Sequence, residues 1–230
     1  ALELKPKDRE LTANLYRDLH SIKGAIRMVG FNNIQNIIHI IALFKIIHYF
    51  CCSFEADLVM NIPQSNILST RHLNRVFDNT VATYKYYWFL GILDLFVKQG
   101  KTRMNVWEIM ITMVANAWYP VNYFRLSFGK SELLFKAILT LQEENNIPIN
   151  IGTDELIKLL QSLTQQAHVR SQLRFLQQHV PFRFLRPWID TNDDPEMVYR
   201  SQNFENGCLY KLTYEHNSLW IELNPSWYTY

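Results

Sequence analysis

From Leu15 to Val29 the apolar residues Leu15, Leu19, Ile22, Ile26 and Val29 recur every three or four positions. Only a helix turns that spacing into one continuous stripe. A second stripe carries His20, Lys23, Gly24 and Arg27, at i, i+3, i+4 and i+7. One face is therefore a packing seam, and the other sets an imidazole beside a cation and a missing side chain. A mid-helix glycine costs about 1 kcal/mol relative to alanine, so Gly24 calls for a chemical reason. An imidazole can carry a phosphoryl group, Lys23 can steady its charge, and Gly24 lets a partner's backbone come close. Asp8 is placed to cap this helix and Gly30 to end it in a left-handed turn, which predicts a helix from about Asp8 to Val29.

The stretch LKPKDRELTANLYRDLHSIKGAIRMVGFNNIQNIIH, Leu4 to His39, carries H-x-x-K-G-x(5)-G as His20, Lys23, Gly24 and Gly30. It resembles the histidine phosphotransfer (HPt) domain of chemotaxis-type histidine kinases. The resemblance implies a four-helix bundle with His20 as phosphoacceptor and Lys23 and Gly24 in support. It implies as partner a response-regulator receiver or a histidine kinase domain, which would supply the Mg²⁺ and the acidic site. No cofactor of the chain's own is implied, and the chain by itself would not be an enzyme. Little precedes Leu4, and IIALFKIIHYFCCSF follows His39 where the family continues with acidic residues and two further helices. The expectation for residues 1–54 is therefore a helical hairpin, a partial HPt bundle.

The run Ile37 to Phe54 is the one membrane candidate, near the lower length limit for a spanning helix. Lys45, His39 and His48 inside it are costly in lipid. A buried helix with Ile34, Ile37, Ile38 and Ile41 as its seam is the preferred reading, and a membrane partner is not expected. The chain is 48% hydrophobic and 14% aromatic, enough to build a core and too apolar for disorder. A net charge of +2 does not by itself imply nucleic acid. Cys51, Cys52 and Cys208 make neither a disulfide framework nor a zinc spacing, and no signal peptide is visible, so the expected compartment is the cytoplasm.

Composition shifts between Glu55 and Pro63, and residues 55–70 read as a linker. Beyond it, residues 71–230 read as an α-rich domain ending in a small β-hairpin, so the whole chain is expected to be mainly α. Helices are expected over Arg71–Val97 (ended by Gly100), Val106–Trp118 (ending before Pro120), Ser131–Glu144, Asp154–Ser162 with Thr153 as cap, and Gln165–Gln178. Val180–Trp188 is expected to be irregular, because Pro181 and Pro187 bracket it. Cys208–Leu223 reads as a hairpin turning at Glu215 to Ser218.

The segments FDNTVATYKYYWFLGILD (77–94), MVANAWYPVNYFRLSFGK (113–130), VRSQLRFLQQHVPFRFLRPWI (169–189) and RSQNFENGCLYKL (200–212) make residues 61–230 resemble a known family. It is the N-terminal region of bacterial HNH endonuclease-domain proteins. In that family the nuclease motif lies further toward the C-terminus, and the histidines here stand in no arrangement that would hold a metal and activate water. What the resemblance implies is the non-catalytic part of such a protein, a nucleic-acid-binding arm with no metal site. The two resemblances meet between about Ile40 and Met60. A chain of the second kind could begin at Met60 as MNIPQS, so a fusion of two reading frames, with a vestigial HPt part, is the alternative.

Gln165 to Trp188 holds Arg170, Arg174, Arg183 and Arg186, with His168 and His179 and no acidic residue. Arg170 and Arg174 share a helix face. Such a strip can contact phosphates, DNA being the partner, with Phe182, Phe184 and Trp188 stacking on bases. The plainer reading is a solvated helix face and a packed loop whose arginine stems cover aromatics. Residues 61–135 add eight basic side chains against four acidic ones. Phe128-Gly129-Lys130-Ser131 has the end of a phosphate-binding loop, but Phe124 stands where its first glycine belongs. Asp190, Asp193, Asp194 and Glu196 read as a solvated acidic loop.

Overall fold

The computed structural model describes residues 69–78, 84–123 and 133–228. They all lie in the second of the two units into which the chain divides, Ala56–Tyr230. The N-terminal helical hairpin expected over 1–54 lies outside the described residues. So do nearly all of the linker, the apolar run 37–54 and the Phe128–Ser131 loop.

The described residues are mainly α, with a small antiparallel sheet drawn largely from the C-terminal end. The helices are α1 (Arg71–Asp78), α2 (Tyr84–Gln99), α3 (Val106–Asn122), α4 (Leu133–Glu144), α5 (Thr153–Leu163), α6 (Ala167–Leu185) and α7 (Asp194–Ser201). The strands are β1 (Arg103–Asn105), β2 (Tyr210–Glu215) and β3 (Ser218–Leu223).

Helix α3 is the hub. Its sequence VWEIMITMVANAW is apolar nearly all round, and such a helix is stable only when covered on every side. It packs against α2, α4, α5 and α6, and also touches β1 and β3. Met110, Met113, Val114, Ala117 and Trp118 have at most 1% of their surface exposed. The α2 crossing is close because Gly91 has no side chain. A Cβ there would sit 3.2 Å from both Cγ2 and the carbonyl oxygen of Ile109. Asn105 ends β1 and caps α3 at once, its side chain accepting from the Trp107 N–H at 2.9 Å. Gly100, at φ +65°, ends α2 as expected, and its N–H returns to the Phe96 carbonyl at 2.8 Å.

The hairpin forms where expected. Glu215 pairs with Ser218 around His216 and Asn217, both at positive φ, the geometry of a tight two-residue turn. Leu219, Ile221 and Leu223 alternate inward on β3, facing the core with Tyr210 and Leu212. The hairpin is not alone, because β1 pairs with the free edge of β3, giving the order β1-β3-β2. Three residues between a helix and a helix were too few to show as a strand.

Two proline expectations are corrected. Helix α3 runs through Pro120 to Asn122, and α6 runs through Pro181 to Leu185, so Val180–Leu185 is helical and not irregular. An internal proline costs about 3 kcal/mol. Around Pro181 the helix buries Val180, Phe182, Phe184 and Leu185, and each such side chain contributes roughly 1.5–3 kcal/mol. Burial outweighs the broken ladder. Two smaller corrections concern the acidic stretch and a cap. Asp194 and Glu196 lie in the first turn of α7, not in a loop. Thr153 is the first residue of α5, and Gly152 stands at the cap.

Candidate nucleic-acid interface

The four arginines singled out in the sequence do not form one strip. Arg170 and Arg174 sit one turn apart in the first half of α6, and both are exposed. Arg183 lies in the last turn and Arg186 just past it at the C-cap. At 3.6 residues per turn, Arg183 is about 220° round and ~20 Å along from Arg170. The arginines therefore make two pairs on nearly opposite faces.

In the first pair, Arg170 lies over the hub. The Arg170 guanidinium sits 5.0 Å from the centre of the Trp107 ring on α3, a cation–π contact in which an arginine covers an aromatic. The second pair meets a residue that sequence reasoning missed. Lys85, in the first turn of α2, is brought to the end of α6 by the aromatic stack one turn below it. Phe89 stacks on Phe184 at 6.0 Å, and Phe77 of α1 lies within 5.9 Å of Phe89 and 6.2 Å of Phe184. Lys85 Nζ donates to the Val76 carbonyl at 3.2 Å, capping the last turn of α1. Burial of its amine, then the charges of Arg186 and Arg183, hold Lys85 below the usual lysine range. His72 of α1 completes the corner. Its Nδ1–H donates to the Pro187 carbonyl at 2.6 Å, and its ring stacks on Trp188.

Among the described residues, none of Arg170, Arg174, Arg183, Arg186 and Lys85 forms an ion pair. Six of the described acidic side chains form ion pairs elsewhere. Asp94 pairs with Lys98, Glu108 with Lys101, Glu215 with Arg103, and Glu222 with Lys211. Glu196 and Glu205 both bind Arg200, whose hydrogen bond is the largest influence lowering the Glu205 carboxyl below its ordinary range. For Glu196 the hydrogen bond from Thr191 is the first cause and Arg200 the second.

The bases-on-aromatics expectation is corrected. Phe182, Phe184 and Trp188 are 3%, 0% and 2% exposed, so they are core and offer no face to a base. The aromatic band at Tyr86, Tyr87 and Trp88 is core as well. Cys208 is buried, and its thiol is pushed up to about 12, chiefly by burial. His20, Lys23 and Gly24 lie outside the described residues. Among the described residues no group of His, Cys, Asp and Glu could hold a metal ion, and no helix is long and apolar enough to cross a membrane. No family model, curated protein or solved structure matches the chain.

Lys85 was legible only as one residue of an aromatic helix. The signal that marks it is three-dimensional, because its two cationic neighbours lie about 100 residues away in sequence.

Proposed function

We propose that residues 71–230 form a nucleic-acid-binding arm of an HNH endonuclease-type protein, with α6 as the phosphate-contacting element. One observation supports this reading. Helix α6 carries four arginines and no acidic residue over its length and cap, and none of the four is neutralised by a described side chain. Free cations of this kind release counterions when they meet a phosphate backbone. The test is anisotropy of labelled single-stranded and duplex 20-mers over a salt series. Binding should weaken linearly in log–log form with added salt. No binding of either 20-mer at low salt overturns the reading.

The second reading concerns the other unit. His20 with Lys23, Gly24 and Gly30 supports a phosphorelay module that takes a phosphoryl group from a response-regulator receiver or histidine kinase domain. Incubation with a phosphorylated receiver should give an acid-labile phosphoprotein that vanishes in His20→Gln. An unlabelled wild type removes this reading.

A further inference from the structure

We infer that Lys85, Arg183 and Arg186 form a discrete phosphate-binding site at the corner where α1, α2 and α6 meet. This rests on the nucleic-acid reading above and narrows it to one site and one ligand group, a phosphate oxyanion.

The geometry is built, not incidental. Lys85 is fixed by its bond to the Val76 carbonyl and by the Phe77–Phe89–Phe184 stack beneath it. Arg183 and Arg186 are one turn apart at the end of a 19-residue helix. His72 anchors the chain immediately after Arg186 by its bond to Pro187. The Trp188 indole N–H, two residues past Arg186, is buried and has no hydrogen-bond partner.

The plainer explanation is that cations gather at helix C-termini. A helix end carries only about half an elementary charge. The C-termini of α1 and α6 together offset about one unit, and the N-terminus of α2 returns about half of one. Three full cations therefore leave an excess of about +2.5 at the corner. No described carboxylate forms an ion pair with any of the three. Bringing three like charges together is unfavourable until an anion joins them. A phosphate carries one or two negative charges and accepts from guanidinium and ammonium donors together. The same oxyanion could arrive as a backbone phosphate of a strand or as free phosphate.

Two measurements on the full chain test the site. One is the thermal midpoint with and without millimolar inorganic phosphate at constant ionic strength. The other is oligonucleotide anisotropy over a salt series. Lys85→Met/Arg183→Gln/Arg186→Gln is compared with Arg170→Gln/Arg174→Gln, and near-UV circular dichroism checks folding. The charge-conserving Arg183→Lys/Arg186→Lys stands in if the triple variant fails to fold, because it keeps the charge and loses the fork geometry.

Phosphate should raise the midpoint of the wild type and of Arg170→Gln/Arg174→Gln, but not of the triple variant. Oligonucleotide affinity should fall about tenfold or more in the triple variant, and its log–log salt slope should flatten by about 2. In the lysine variant, affinity should fall several-fold with little change of slope. Phosphate stabilisation without oligonucleotide binding upholds the site and removes the nucleic-acid reading. Oligonucleotide binding unchanged in the triple variant, or in the lysine variant where that one is used, removes the site and leaves the reading. Neither response in the wild type removes both.

Discussion

The two ends of α6 carry the same residue type in different company. At the N-terminal end, Arg170 lies across Trp107, and its charge is spread over an indole face while its partner Arg174 stands in water. At the C-terminal end, Arg183 and Arg186 face a half-buried lysine, which burial first and then their charges hold below its usual range. The first arrangement is stable as it stands. The second concentrates charge that only an anion would relieve. The difference teaches that arginine density along a helix does not define a surface. Rotation along the helix and the neighbours supplied by other elements decide which arginines are packing residues and which are ready to bind.

Substitutions that separate the two ends sharpen this contrast. The largest effect is expected from Phe184→Ala, which removes the ring joining Phe77, Phe89, Trp188 and Tyr210. A buried Phe→Ala change costs about 3–5 kcal/mol, read as a lower midpoint in urea. A loss under 1 kcal/mol would mean that the C-terminal corner is not held by this stack. Gly91→Ala acts on the hub that both ends share. Overpacking against Ile109 costs roughly 1–3 kcal/mol and exceeds the ~1 kcal/mol of helix propensity gained, so the net change is a small destabilisation. An increase in stability would show that α2 and α3 can separate freely. Arg170→Ala should cost about 0.5–1 kcal/mol through its lost contact with Trp107 and leave phosphate stabilisation intact. Lys85→Met should change stability least, by about 0.5 kcal/mol or less, because relief of charge crowding offsets the lost bond to the Val76 carbonyl, while phosphate stabilisation weakens. If Arg170→Ala weakens phosphate stabilisation as much as Lys85→Met does, the contrast between the two ends falls.

Much of the helical order was legible, because it rests on local periodicity and on punctuation such as Gly100 and the His216–Asn217 turn. The failures share a cause. Pro120 and Pro181 were read as breaks, since a proline's local cost is visible in sequence and the compensating burial of Val180, Phe182 and Phe184 is not. Strand β1 was invisible because three residues carry no pattern until β3 supplies a partner. Helix α7 was hidden by its acidic first turn, although Met197 and Ser201 pack inward and Ser201 Oγ accepts from the Leu212 N–H. The candidate site was half legible. Arg183 and Arg186 stood out by composition, whereas Lys85 and the division of the four arginines into two faces depend on contacts between distant elements.

The Tyr210 hydroxyl accepts from the Trp88 indole at 3.1 Å and donates to the Pro181 carbonyl at 2.7 Å. It joins α2, α6 and the hairpin at one buried oxygen, across 122 and 29 residues of sequence. Contacts of such long range carry a loop-closure cost in entropy, which slows folding. Phe89 and Phe184 join α2 to α6 directly, and the Tyr210 tie is added once the first strand of the hairpin has been synthesised. A nascent chain stopped short of Tyr210 would carry all three cations of the corner and the Phe77–Phe89–Phe184 stack beneath them, but not this further tie between α2 and α6.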